Sequence, residues 1–251
     1  MSKDFQDHFS EGSTDYSQFR PGYPAALFEY LSSLTPVHDV AWDCATGSGQ
    51  AALQLANHYR QVIASDASAH QIEAATACKG VDYRVAPAEQ TDFSSGSIDL
   101  VTVAQALHWF DLERFYSEVK RVLQGRGMIA VWTYNLFRIS PAIDEAIDQL
   151  YHITLNNYWP EERRLVENGY ADLPFPFKQK QAIPAFAMSA EWTLPHLLGY
   201  LGTWSAVKRY RDATGVDPVT PLTRQLEQAW GDPKQKRAVS WPLSIRIGFN
   251  H

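Results

Sequence analysis

An α/β fold on a mostly parallel sheet is what this sequence predicts, and three observations carry the prediction. Short apolar runs alternate with helical stretches from Val40 onward, a glycine-containing turn follows the first of those runs, and the rhythm changes after Tyr134. The runs Val40 to Cys44, Val62 to Asp66, Val81 to Val85, Ile98 to Ala104 and Met128 to Tyr134 have the length and composition of strands. Helices are expected between them near Gln50 to Asn57, Ala69 to Ala77 and Leu112 to Leu123. Such a βαβ series needs crossovers that cover both faces of the sheet, and their right-handedness leaves few topologies. Beyond Tyr134 the pattern predicts a helix from Ala142 to Ile153, a Pro- and aromatic-rich region, a strand from Gln181 to Phe186 and helices from Leu194 to Trp204 and Leu222 to Trp230. Ala238 to Phe249 reads as a closing strand, with Pro242 at an edge or bulge because proline cannot donate to a ladder. The helices between Tyr134 and Ala238 read as insertions around the final two strands.

The 251 residues, 45% of them hydrophobic, suffice for one sizeable core. A net charge of -6 offers no overall attraction to phosphate backbones or anionic lipid, so nucleic acid is not an expected partner. Met1 to Arg20 is polar and lacks the apolar stretch of a leader, and no window approaches the roughly 20 apolar residues of a membrane span. Cys44 and Cys78 are the two cysteines, without metal-ligand spacing around either. A reducing, cytoplasmic setting and no metal are the corresponding expectations.

The sharpest local signal is Asp43-Cys44-Ala45-Thr46-Gly47-Ser48-Gly49-Gln50, where the first strand turns into the first helix. Glycines there permit tight curvature and let a cofactor lie against the main chain. Asp66 ends the second strand, where a carboxylate can accept from both ribose hydroxyls of an adenosine. Alone, this pattern also describes an ordinary β-to-α turn, or a nicotinamide dinucleotide site. Two details favour another cofactor: neither frame of G-x-G-x-x-G is complete, since Ala45 takes the first glycine place of one and Ala52 the last of the other, and Asp43 suits a cationic amino group better than a pyrophosphate.

Asp43 to Gln50 resembles the first motif of class I S-adenosylmethionine-dependent methyltransferases, with Asp66 matching their ribose-binding acid. The resemblance implies a Rossmann-like, mostly parallel seven-stranded sheet of order 3-2-1-4-5-7-6 with strand seven antiparallel, helices on both faces and helical insertions after strand five. Three further segments resemble the trans-aconitate and cantharidin methyltransferase group: Arg20-Pro21-Gly22-Tyr23-Pro24, Gln105-Ala106-Leu107-His108-Trp109-Phe110 and Trp241-Pro242-Leu243. On that resemblance the chain is a single domain, with residues 1–36 a cap, 37–135 the cofactor-binding core and 136–251 the substrate side. Cofactor contacts are then expected from Tyr16, Arg20, Asp43, Ala45, Thr46, Gly47, Gly49, Gln50, Asp66, Ala67, Ala88, Glu89, Gln105, Ala106 and Trp109.

Gln105 to Phe110 follows strand four, at the carboxyl end of the sheet where open α/β folds place ligands. His108 is the candidate for proton transfer or for shaping the site, with a structural histidine as the alternative. His108, Trp109 and Tyr134 are the candidate acceptor contacts, and Arg138, Arg209 and Arg211 are candidates for recognising an anion. The expected reaction is methylation of a small molecule by S-adenosylmethionine, with carboxylate O-methylation implied by the closer resemblance. A quinone or other ring-bearing acceptor, an NAD-dependent oxidoreductase and a non-catalytic binding protein are the alternatives. A monomer or homodimer is expected.

Overall fold

The structure, a computed structural model, describes residues 21–250. Helix α1 (Ala25–Leu34) leads into strand β1 (Val40–Cys44), followed by α2 (Gln50–Leu55), β2 (Gln61–Asp66), α3 (Ala69–Glu73), β3 (Val81–Val85), β4 (Ile98–Ala104), α4 (Leu112–Val122) and β5 (Leu123–Tyr134). These strands pair in parallel in the order β3-β2-β1-β4-β5. The expected series is therefore present, with β1, β3 and β4 at the expected bounds.

Period-two alternation sends successive side chains to opposite faces of the sheet. Ala41, Val62, Ala64, Leu100, Ala130 and Trp132 pack against α1 and α2 through Leu27, Phe28, Leu31, Ala52 and Leu55. Trp42, Ile63, Val101, Val103, Ile129 and Val131 pack against α4 through Phe115, Val119 and Val122. Helix α4 is fixed at its start by Asp111, whose side chain accepts from the Arg114 N–H.

The second half of the chain contains α5 (Pro141–Gln149), a π-helical turn (Leu150–Thr154), α6 (Arg163–Glu167), β6 (Lys178–Gln179), β7 (Ala187–Trp192), α7 (Leu194–Gly202), α8 (Ser205–Thr214), α9 (Thr223–Trp230) and β8 (Arg237–Phe249). Strand β8 lies antiparallel beside β5 and carries β6 on its other side, giving the order 3-2-1-4-5-8-6. It fills the role expected of the antiparallel strand seven. An additional strand, β7, pairs with the first half of β8 from Arg237 to Pro242, and β5 takes over at Leu243. Pro242 thus sits at the handover between partners. Tyr134, Phe137, Ile143, Ile147, Met188, Trp192, Leu197, Trp204, Leu226, Trp230, Val239 and Trp241 form a third apolar cluster beyond β5.

Three expectations need correction. The strand expected at Gln181 to Phe186 is irregular, because Ala182 has φ +55° and Pro184 has no N–H to give; the ladder forms on either side, in β6 and β7. Helix α3 ends at Glu73, so Cys78 lies in the approach to β3 and not at a helix end. Helices α1, α6 and α8 are absent from the sequence reading. In α1 and α8 tertiary burial of a few residues, such as Leu27 and Leu31 or Ala206 and Val207, decides the structure.

Candidate functional site

The carboxyl ends of β2, β1, β4 and β5 follow one another along the sheet, and the candidate site is built from what leaves them. After β1 the main chain curls: Ala45, Gly47 and Gly49 all have positive φ, at +54°, +56° and +89°. Ala45 accepts a left-handed conformation that costs an L-residue roughly 1 kcal/mol, so its methyl group occupies the first glycine place without opening the turn. At Gly49 a side chain is excluded, since a Cβ there would collide with the Tyr83 hydroxyl and ring. The Tyr83 ring is itself anchored by donation to the Thr76 carbonyl at 3.0 Å.

The acid expected to work with this turn adjoins it. Asp66 accepts from the Gly47 N–H through Oδ2 and from the Ser68 N–H through Oδ1, each at 2.9 Å. Asp43 is buried, and its oxygens accept from Thr46 at 2.5 Å and Thr102 at 2.7 Å. Burial pushes its carboxyl up to about 6, against the pull of those two hydroxyls. Asp43 therefore braces the turn from beneath while remaining largely ionised at pH 7. The fit to an adenosyl cofactor rests on these features: a curled, glycine-bearing main chain at the end of β1 and an acid bonded to it from the end of β2.

The other expected contacts fall at or after the ends of β1 to β5. Gln50 opens α2 on the surface, and Ala67 is exposed between Asp66 and Ser68. Ala88 packs into the core, while Glu89 accepts from the Asp111 N–H at 3.0 Å and so braces the start of α4. Gln105, at φ +58°, donates to the Tyr134 carbonyl at 2.9 Å and accepts from Thr133, which locks the end of β4 to the end of β5. Ala106 precedes a short 3-10 turn, Leu107–Trp109, in which the His108 and Trp109 rings lie 4.7 Å apart. Tyr134 is buried and packs in the third cluster, and its carbonyl accepts from Gln105. Tyr16 and Arg20 fall outside the described residues.

His108 is half-buried, and its Nδ1 shares a hydrogen bond of 2.8 Å with the Tyr170 hydroxyl. Burial, reinforced by the Arg163 charge, lowers its pKa to about 4. Neutral imidazole thus prevails at pH 7. The stability consequence has a definite sign. A histidine depressed from 6.5 contributes stability that is complete above its unfolded value and lost as pH falls toward 4. Asp43, raised from 3.8, acts oppositely, stabilising the fold as pH falls from about 6 toward 3.8. Each shift amounts to about 3 kcal/mol at most, so the two slopes largely cancel. His108→Gln is expected to unmask the Asp43 slope, so that Tm rises relative to wild type between pH 6 and 4; an unchanged difference across that window contradicts the assignment.

Three arginines expected to recognise an anion are otherwise committed. Arg138 pairs with Asp148 and Arg211 with Asp217, both at 2.9 Å, and Arg209 donates to the Tyr158 carbonyl. Residues not anticipated are Thr102, Asn135, Tyr151, Arg163 and Tyr170. A lone threonine in the apolar run of β4 is a legible hint for Thr102, whereas Tyr170 comes to His108 from 62 positions away with no local signal. Among the described residues no cluster of three or more metal-ligating side chains occurs, and no helix is long and apolar enough to cross a membrane.

Comparison with known proteins shows the family and the fold. Residues 42–131 match the family model described as a methyltransferase domain. A Dictyostelium discoideum protein named as a methyltransferase is 34% identical over 238 residues, covering 92% of this chain and 90% of that one. A Saccharomyces cerevisiae protein named for S-adenosylmethionine-dependent methyl transfer is 31% identical over 133 residues, covering 49% of this chain and 45% of that one. Among solved structures, one from Anaeromyxobacter dehalogenans described as a type II methyltransferase superposes with a TM-score of 0.88 at 45% identity, covering 93% of this chain and all of that one.

Proposed function

Because the chain belongs to the class I S-adenosylmethionine-dependent methyltransferases, we propose that it methylates a carboxylate oxygen of a small organic acid. The observation that carries this reading is the state of His108. A ring held neutral down to about pH 4 is a poor base for a phenol near 10 or a protonated amine. A carboxylate needs no base, since it is ionised well below neutrality.

Bound S-adenosylmethionine supplies an electrophilic methyl group on a cationic sulfur. For an acceptor oxygen that is already ionised, methyl transfer to it requires no proton to be moved by the protein. The protein's task is alignment. In this reading Asp66 holds the ribose, the main chain of Ala45, Thr46, Gly47 and Gly49 receives the cofactor, Asp43 stiffens that turn, and Gln105 fixes the distance between the β4 and β5 ends. Ala67, Ala88, Glu89, Ala106 and Trp109 complete the cofactor's surroundings. His108 spends one ring nitrogen on Tyr170 and offers the other to the acceptor.

The test is product formation from a labelled methyl donor and a panel of carboxylic acids, phenols and amines. Methyl esters are expected, with a rate level from pH 6 to 8. His108→Gln is expected to lower kcat/KM by about tenfold, equivalent to about 1.4 kcal/mol of alignment, without changing the shape of the pH profile. Methylation confined to phenols or amines, with a rate that climbs with pH in the wild type, overturns the proposal.

A further inference from the structure

We propose that Arg163 determines acceptor specificity, its guanidinium receiving the carboxylate of the organic acid at the edge of the sheet beside His108. The inference rests on the carboxylate reading above and assigns the residue that enforces it.

Three observations converge on this side chain. Arg163 is held in a fixed attitude: its charged group lies 5.3 Å from the Tyr151 ring centroid and 5.1 Å from that of Trp159, and the Trp159 N–H donates to the Tyr151 carbonyl at 3.2 Å. Tyr151 projects from the π-helical turn Leu150–Thr154, a local departure from α-helix of the kind that recurs at functional sites. Arg163 is also incompletely used. Its Nε donates to the Tyr151 hydroxyl at 2.5 Å and one terminal nitrogen donates to Asn135 Oδ1 at 2.6 Å. A guanidinium carries five N–H donors, so three remain. Among the described residues no carboxylate lies within 4.0 Å of it, whereas Arg60, Arg84, Arg121, Arg138 and Arg211 each have one. Glu167 reaches it only through the Tyr151 hydroxyl, on which the carboxylate closes at 2.7 Å.

The third observation is position. Asn135, the residue gripped by Arg163, directly follows the last residue of β5, and the Arg163 charge is felt at both the His108 ring and the Tyr170 phenol. A half-buried cation separated from the Glu167 carboxylate by the Tyr151 hydroxyl is incompletely compensated, and a directly bound carboxylate adds parallel charge-assisted hydrogen bonds. Preorganisation by two aromatic faces means that little side-chain freedom is lost on binding.

The experiment compares Arg163→Gln, Arg163→Lys and, as a charge-loss control outside the site, Arg138→Gln. Calorimetry with glutarate and benzoate is run on the S-adenosylhomocysteine complex, alongside turnover of whichever acids wild type methylates. Arg163→Gln is expected to weaken acid binding and raise acceptor KM by 10- to 100-fold on the scale of one lost charge-assisted pair, with S-adenosylhomocysteine affinity within twofold. Arg163→Lys is expected to recover part of the loss, since it restores the charge but not the fork. Imidazole NMR of the free protein provides a readout independent of turnover: His108 titrates at a higher pH once the Arg163 charge is gone. Acids methylated with unchanged KM by Arg163→Gln overturn this inference and leave the carboxylate reading standing. Absence of any methyl ester from the wild type, with phenol or amine products instead, overturns the carboxylate reading itself. Loss of cofactor affinity and acceptor KM together, with a lowered Tm, assigns Arg163 to bracing Tyr151 and Asn135 and likewise overturns the inference.

Discussion

Asp66→Ala weakens S-adenosylmethionine and S-adenosylhomocysteine binding by about 1 to 3 kcal/mol, or roughly 5- to 150-fold, in a protein that still folds. The carboxylate has two tasks. It is the acceptor proposed for the ribose diol, and it already takes the Gly47 and Ser68 N–H groups at 2.9 Å. Truncation removes the first set of bonds and also releases the glycine turn from the end of β2. Asp66→Asn separates the two effects: the amide keeps the size but replaces one acceptor oxygen with a donor, so it should bind with intermediate affinity. Calorimetry with S-adenosylhomocysteine reads both variants, and an Asp66→Ala protein binding as tightly as wild type removes Asp66 from the site.

Gly49→Ala has the largest expected effect on stability among the site variants. At φ +89° any L-residue is strained by roughly 1 to 2 kcal/mol, and the added methyl group meets the Tyr83 ring, an overpacking that typically costs about 1 to 3 kcal/mol more. For a chain of this size the sum corresponds to a Tm lower by roughly 4 to 20 °C. Cofactor affinity should fall with it, because relief of the clash displaces the start of α2. Adding Tyr83→Ala to Gly49→Ala returns the steric part and leaves the dihedral part, so the double variant should recover about half of the lost Tm. A single variant as stable as wild type shows that the turn does not hold the described conformation in solution.

Sequence patterns reveal the cofactor half of the molecule better than the acceptor half, and the reason is physical. The turn and Asp66 are written locally: curvature demands glycine at fixed offsets, and a strand end determines where its last side chain emerges. Strand β8 is legible from apolar patterning alone, although its division between β7 and β5 is not. Arg163 meets Tyr151 and Asn135 across 12 and 28 positions and Tyr170 meets His108 across 62, and no periodicity encodes such meetings. Arg138 and Arg211 illustrate the converse. Counting arginines by sequence overlooks the aspartates, 10 and 6 positions away, that neutralise them. His108 falls between these cases: its place after β4 is predictable, but its suppressed basicity follows from burial and from the Arg163 charge, which only the folded chain brings about.

The handover at Pro242 has an evolutionary corollary. Everything between Thr193 and Lys236 departs from one ribbon and returns to it, while the pairing of Met128 to Tyr134 with Leu243 to Phe249 is set by a separate stretch of the same strand. Lengthening, trimming or exchanging that excursion need not disturb the register of the catalytic scaffold. The architecture is a socket into which alternative modules can be fitted.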